Sequence, residues 1–431
     1  MRLAPGKLEP ELVFGRMKIR ELQRAAGPGL VFAGTAIGVS HLVQSTRAGA
    51  MYGLALVIVI ILINLLKYPA FRFAVDYAHS TGKTLIGGYR ELSPWLLVIL
   101  AVMSTALAPI GLAAVTVTTA AILAALTGTD LPFIALVALA LGATILLLLI
   151  GGYKWLERLS KVLVAFLAVV TICAAALALP QVEWASATSL EWTIDPLALL
   201  FVVALAGFMP TSIGQSVDVS LWTLKSQEGT APDSRASIKT ARKGFLAAYV
   251  LTGFLAVCFC VMGAGVMHSA QIAPESGAAE IASQIIGLYA DTLGPIPAFF
   301  TAIAALCVMA TTMIASFDGV GRGLGAIYQE YRGNVGGMAS QSSYAFFLIL
   351  FAFLSFAFVA VLLESFTTFI DLATSIFFVA TPGTALVNHL VVTRCEMAEE
   401  HRPSKSMRLL SLSGIAIMVA LTVMFFVLVA G

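Results

Sequence analysis

Gly34-Thr-Ala-Ile-Gly-Val-Ser-His41 and Gly207-Phe-Met-Pro-Thr-Ser-Ile-Gly-Gln-Ser216 are the two stretches whose reading decides the fold. Each interrupts an otherwise Leu-, Val- and Ala-rich window with Gly, Ser, Thr or Pro. Proline removes a backbone donor, and glycine lowers the cost of leaving the helix. Unwound backbone at mid-membrane depth is tolerated only where it lines protein or a wet cavity. One such run would read as close helix packing through small residues. Two of them, five helices apart, match an inverted repeat with its binding site at the midplane between discontinuous helices 1 and 6.

The surrounding composition requires a membrane. Hydrophobic residues make up 59% of the 431 positions and charged residues 11%, against about a quarter charged in soluble domains. Windows of the roughly 20 apolar residues that cross a bilayer recur along the chain, among them Leu92–Thr129, Gly244–Met267 and Leu409–Gly431. The reading gives eleven helices, beginning near residues 26, 54, 94, 131, 154, 195, 240, 293, 340, 366 and 406. With the N-terminus inside, every Lys and Arg except Arg47 falls on the internal side, Lys67 and Arg72 after helix 2 included, as the positive-inside rule requires.

That pattern predicts a multi-pass protein of a bacterial-type cytoplasmic (inner) membrane, N-terminus cytoplasmic and C-terminus external. Residues 1–25 read as a cytoplasmic tail without the apolar core of a cleaved signal. Residues 26–180 and 181–395 read as the two five-helix repeats, and 396–431 as the eleventh helix. A net charge of +2 gives no reason to expect nucleic acid, and no cofactor or obligate protein partner is indicated beyond the lipid bilayer and a small solute or ion. No Ser/His/Asp or paired-carboxylate arrangement points to an enzyme. The five cysteines show no metal-ligand spacing. Gly319-Val-Gly-Arg-Gly-Leu-Gly325 follows a membrane helix and lacks the Lys-Ser/Thr of a phosphate loop. Ser80-Thr-Gly-Lys83 reads as the loop after helix 2.

From Gly27-Pro28-Gly29 through Ala48-Gly49-Ala50-Met51-Tyr52-Gly53, and again at Met209-Pro210, the chain resembles the Nramp (natural resistance-associated macrophage protein) divalent-metal transporters. The resemblance implies an all-α polytopic LeuT-like fold, with two inverted repeats, helices 1–5 and 6–10, plus helix 11, and helices 1 and 6 broken at the midplane. The family's first-helix motif is Asp-Pro-Gly-Asn, whose Asp and Asn help to coordinate the metal. Here Gly38-Val39-Ser40-His41 stands in its place. Met209 keeps the position of the thioether ligand, but Thr211 replaces the histidine of Met-Pro-His. The third helix has no acid where the family carries a proton-pathway residue, only hydroxyls such as Ser104, Thr105, Thr116 and Thr118.

A divalent ion at the midplane needs anionic ligands, because uncompensated buried charge is very costly. The expectation is therefore a secondary active transporter working by alternating access, coupled to H+ or Na+, with a site altered away from Mn2+ and Fe2+. Its expected substrate-binding positions are Gly38, Ser40, His41, Met209, Thr211 and Gln215. The alternative keeps metal transport, with His41, Met209 and backbone carbonyls as a rebuilt set of ligands. Asp318 and Asp371 are the expected carriers of the coupling ion or proton, being intramembrane acids. Thr312 and Ser316 are hydroxyls of the kind that bind Na+ in the resembled fold. A structural pair with Arg322 is the competing role for Asp318. Asp218 ranks behind them, since an unbroken helix would set it opposite Met209. Arg47 reads either as snorkelling or as facing an external vestibule, where it pairs with an acid or steers an anion. A channel is disfavoured by the lack of charged pore rings.

Overall fold

The computed structural model describes residues 27–228, 237–334, 338–362 and 366–430, and all the regular elements among them are helical. The expected cytoplasmic tail lies outside the described residues. The first helix runs over 27–36 (α1), bends at Ile37–Gly38, and resumes as a π-helical turn at Ser40–Ser45 followed by α2, Thr46–Tyr52. Then come α3 (Val57–Thr81), the short α4 (Leu85–Leu92), α5 (Pro94–Thr127) and α6 (Phe133–Ala178). The second half starts with α7 (Pro196–Phe208) and α8 (Ser216–Gln227), separated by an irregular stretch, and continues with α9 (Ile238–Met262), α10 (Ala278–Leu293) and α11 (Pro295–Tyr331). It closes with α12 (Gln341–Leu362), α13 (Phe366–Arg394) and α14 (Lys405–Ala430).

Both expected breaks are present, each with a local cause. Pro210 cannot donate the backbone bond that would continue α7 and clashes with the carbonyl four residues earlier. A residue before proline is pushed to extended backbone, and Met209 sits at φ −96, ψ 120. In the first helix Gly38 supplies the kink. A Cβ there would lie 2.7 Å from Thr312 Cγ2, so the position also admits the close approach of α11. Between 263–268 and α2 the contact is backbone to backbone. Gly49 lies against the Cys260 carbonyl and Gly263 against that of Thr46, with no room for a side chain at either, which is how small residues bring membrane helices together.

Two expectations are corrected. Helices 4 and 5 were expected as separate elements near 131 and 154, but α6 is one continuous helix. No proline occurs in 151–161 to interrupt its hydrogen bonding. At about 69 Å α6 exceeds one crossing, and its ends, Phe133–Ile150 and Val162–Gln181, are each apolar and long enough for one span. Lys67, placed by charge alone in an internal loop, is instead inside α3 and fully buried. By length and composition the described residues hold eight candidate spans, or nine if a bent pair counts as one. The two broken helices lack an uninterrupted span and α11 is not among the eight, so the count of eleven is not established this way.

The core is layered on α1. Phe32 meets Phe71 of α3 and Phe245 of α9 with ring centroids 5.1 and 5.2 Å apart, and Tyr249 of α9 donates its hydroxyl to the Asn64 carbonyl at 2.7 Å. The outer faces are apolar as well: Ile58, Ile61 and Leu65 of α3 are each about half exposed. An apolar outer face is what a lipid-facing helix requires.

Candidate substrate cavity

The two breaks touch. Ser40 Oγ lies 3.1 Å from the Pro210 carbonyl, 3.0 Å from the Ala36 carbonyl and 2.8 Å from His41 Nδ1, so one hydroxyl ties the interrupted first helix to the interrupted α7–α8. Thr312 of α11 reaches the freed carbonyls of Gly34 and Ile37, at 2.8 and 3.0 Å. Beside these groups lies a cavity of about 180 Å3. One wall is polar, formed by Thr35, Ser40, Thr211, Gln215, Thr312 and Ser316. Most of the remaining lining is apolar, with Leu100, Met103 and Leu107 of α5 and the Phe208–Phe377 pair, whose rings meet edge to face at 5.1 Å, while Ser104 of α5 and Thr384 of α13 add two hydroxyls.

The expected site residues divide accordingly. Ser40, Thr211, Gln215, Thr312 and Ser316 line the cavity. Gly38 sits behind Thr312. His41 is fully buried and points elsewhere: Nε2 lies 2.9 Å from the Thr252 carbonyl of α9, and its ring stands edge-on to Phe259. Both ring nitrogens thus have partners. Met209 is fully buried at the break and is not among the lining residues. Among the described residues no group of three or more His, Cys, Asp or Glu side chains is arranged to hold a metal ion.

The two expected carriers are both in ion pairs. Arg47 grips Asp371 of α13 with two bonds of 2.7 and 2.9 Å, while Gln44 donates to the same carboxylate at 2.9 Å. Arg47 also lies over the Phe201 ring at 5.2 Å, so this cluster ties α2, the second part of the first helix, to α13 and α7. Asp318 is fully buried and accepts from Arg322 Nε at 2.7 Å, Tyr344 Oη at 3.0 Å and Trp222 Nε1 at 3.3 Å.

Removing one member of the Arg47–Asp371 cluster has a predictable cost. Arg47→Met leaves the Asp371 carboxylate, about a third exposed, without its guanidinium. Allowing for solvent screening, the loss should be about 1–2 kcal/mol. Asp371→Leu in the same background should recover part of it. Thermal unfolding in detergent checks both; equal melting temperatures for wild type and Arg47→Met would count against the pair.

Two groups matter more than the sequence suggests, Lys67, expected in a loop, and Asp218, ranked behind the other acids. Lys67 Nζ bonds the carbonyls of Ala206, Gly207 and Thr211, capping α7 where proline has left its last carbonyls free. A cation is also favoured there by the helix dipole. Asp218, in the first turn of α8, lines the cavity. It lies against Gly319 and Gly323, one turn apart on α11. The available sequence signal was that glycine stripe, read only as the small-residue end of a helix.

Comparison with known proteins agrees with this architecture. A family model described as natural resistance-associated macrophage protein-like matches residues 29–428. An uncharacterised protein of Pasteurella multocida is 32% identical over 419 residues, which cover 94% of this chain and 93% of the relative. A manganese transporter from Eremococcus coleocola, solved with an aromatic bis-isothiourea compound, is similar with a TM-score of 0.72 at 14% identity, covering 99% of this chain and 90% of that one. MhsT, solved with L-phenylalanine, is similar with a TM-score of 0.67 at 17% identity, covering 93% of this chain and 98% of that one.

Proposed function

The chain belongs to the Nramp family of LeuT-fold transporters, and on that premise we propose that it moves a small solute other than Mn2+ or Fe2+ by alternating access. The observation that carries this reading is the makeup of the cavity. Its polar lining is mainly neutral hydroxyl and amide groups, the rest is mostly apolar, and among the described residues Asp218 is the one charged side chain that lines it. Such a mixture is the usual composition of a small-molecule site. It falls short of the six or more oxygen ligands, several anionic, that hard divalent ions prefer.

Alternating access in this reading rocks the half 26–180 against the half 181–395 around the paired breaks. The Arg47–Asp371 cluster closes the outer side. The cavity extends along α11 from Thr312 to Ile327, toward the side proposed as cytoplasmic. The Thr312 hydroxyl, with the Gly34 and Ile37 carbonyls around it and Ser316 one turn on, supplies the oxygen groups proposed to hold a coupling Na+. A proton is the other candidate for the driving ion.

Divalent-metal transport is the second reading. It is supported by Met209 at the break, and by the likeness to a protein solved as a manganese transporter. Uptake into liposomes containing the purified protein decides between the two. No saturable Mn2+ uptake is expected, together with thermal stabilisation by an organic solute. Saturable Mn2+ uptake abolished by Met209→Ala would sink the first reading.

A further inference from the structure

Asp218 has no hydrogen bond or ion pair among the described residues, whereas the acids on the helices around it are matched. On α11, Asp318 is held by Arg322, and Glu330 by Arg90 of α4. On α3, Asp76 is held by Arg72 and Arg242. Glu91 of α4 pairs with Lys83. The remaining basic groups facing α8 are also engaged, Lys67 by carbonyls and His79 by Gln227. Lys225, two turns along α8 itself, pairs with Glu228. A Cβ on Gly319 would lie 2.7 Å from Asp218 Oδ2, so the carboxylate packs against the residue next to Asp318 in the chain, with no cation of its own.

An ionised carboxylate isolated at this depth is costly and takes up a proton or a cation. Among the described residues no Lys, Arg or His lines the cavity, so none of those residues offers an anion a counter-charge there. The Phe208–Phe377 pair and the apolar α5 residues of the same cavity offer π-faces and hydrocarbon, which suit an organic cation. A single carboxylate in that lining leaves a bare metal ion under-coordinated.

We propose that the cavity binds small organic ammonium compounds at Asp218 in exchange for the carboxyl proton. The ammonium ion arrives with its charge, the Asp218 O–H bond breaks, and the proton leaves to solvent. The bound state is an ammonium–carboxylate pair, and total charge is conserved. This rests on the solute-transporter reading of the same cavity and names its substrate class.

The test uses the purified full chain in weakly buffered detergent, titrated with phenethylammonium, choline, the neutral 2-phenylethanol and Mn2+, while binding heat and pH are recorded. An ammonium probe is expected to bind wild type and release about one proton per molecule. Asp218→Asn should bind it at least about tenfold more weakly and release no proton. Asp218→Glu, which keeps the carboxyl group, should retain the release and so guards against a folding defect in the amide variant. Equal binding by Asp218→Asn, binding without proton release, or no binding of either ammonium probe by wild type overturns the proposal. Binding of 2-phenylethanol by wild type and Asp218→Asn alike, without the ammonium effect, overturns the cation class and leaves the solute-transporter reading standing. Proton-releasing Mn2+ binding in place of amine binding overturns both.

Discussion

Lys67→Met should be among the most damaging single substitutions in this chain. The side chain is fully buried in α3, and its ammonium meets the carbonyls of Ala206, Gly207 and Thr211 around the α7 break, the last two at 3.1 and 3.2 Å. An ammonium has three donors, so one residue satisfies all three oxygens. Methionine fills a similar volume and donates nothing. Each buried acceptor left without a partner costs about 1–3 kcal/mol. Allowing for partial relaxation, the total should reach about 3–5 kcal/mol, a large share of the roughly 5–15 kcal/mol typical of a folded domain. Lys67→Arg should not restore it, because a planar guanidinium presents its donors in a fixed fork and cannot aim three at a convergent set of oxygens. Thermal unfolding can be followed with a thiol-reactive dye, since Cys258 and Cys260 are buried. A loss below about 1 kcal/mol would mean the freed carbonyls find other partners.

Asp318→Ala is the second large effect. Asp318 is fully buried and receives three donors, from Arg322, Tyr344 and Trp222. Arg322 also stacks over the Tyr344 ring at 5.0 Å. Deleting the carboxylate removes the counter-charge 2.7 Å from Arg322 and leaves the Tyr344 hydroxyl and the Trp222 indole without this acceptor, a loss of about 3–5 kcal/mol. Asp318→Asn keeps an acceptor and should lose less. Replacing both partners, with Arg322→Met added to Asp318→Ala, should recover part of the loss. The same variants test the role expected from the sequence. If Asp318 carries the coupling ion, the Asn variant keeps its melting temperature and loses the pH or Na+ dependence of uptake. If it anchors α8 and α12 to α11, stability falls and the ion dependence of the remaining uptake is unchanged. The three donors that converge on the carboxylate, at 2.7, 3.0 and 3.3 Å, support the second outcome.

The broken helices were legible because a break is a local event. Pro210 and Gly38 act on their own backbone, and no distant residue is needed to predict that helical bonding fails there. The membrane class was equally local, since runs of apolar residues are counted along the chain. Lys67 shows where this kind of reading fails. The positive-inside rule sorts charges by loop, and a lysine next to the end of an apolar window looks like a loop residue. Only the partner, three carbonyls about 140 residues away in sequence, explains why it stays inside.

The site divides along the same line. Gly38, Ser40, Thr211 and Gln215 could be named because they lie in or beside the breaks. Thr312 and Ser316 followed from the resemblance. His41 carries the right chemistry for a ligand, but its direction depends on α9, and its ring turns to the Thr252 carbonyl. Helical phase counted from Met209 along a continuous helix ranks Asp218 behind the other acids. The 3-10 turn at Ile213–Gln215 and the unwound residues before it reset that phase, and the carboxylate emerges on the cavity wall.

The membrane environment, the two places where the helices fail and the family those failures belong to are all written into the chain. Which polar groups are spent on one another is settled by packing, because membrane helices are apolar all round and a leucine facing lipid reads like a leucine facing the core. The sequence therefore marks few inner faces, and the pairing of Arg47 with Asp371, of Lys67 with the α7 carbonyls, and the lack of a partner for Asp218 among the described residues appear only once the helices have packed. The two interruptions are one site, joined through Ser40 and the Pro210 carbonyl, 170 residues apart in the chain.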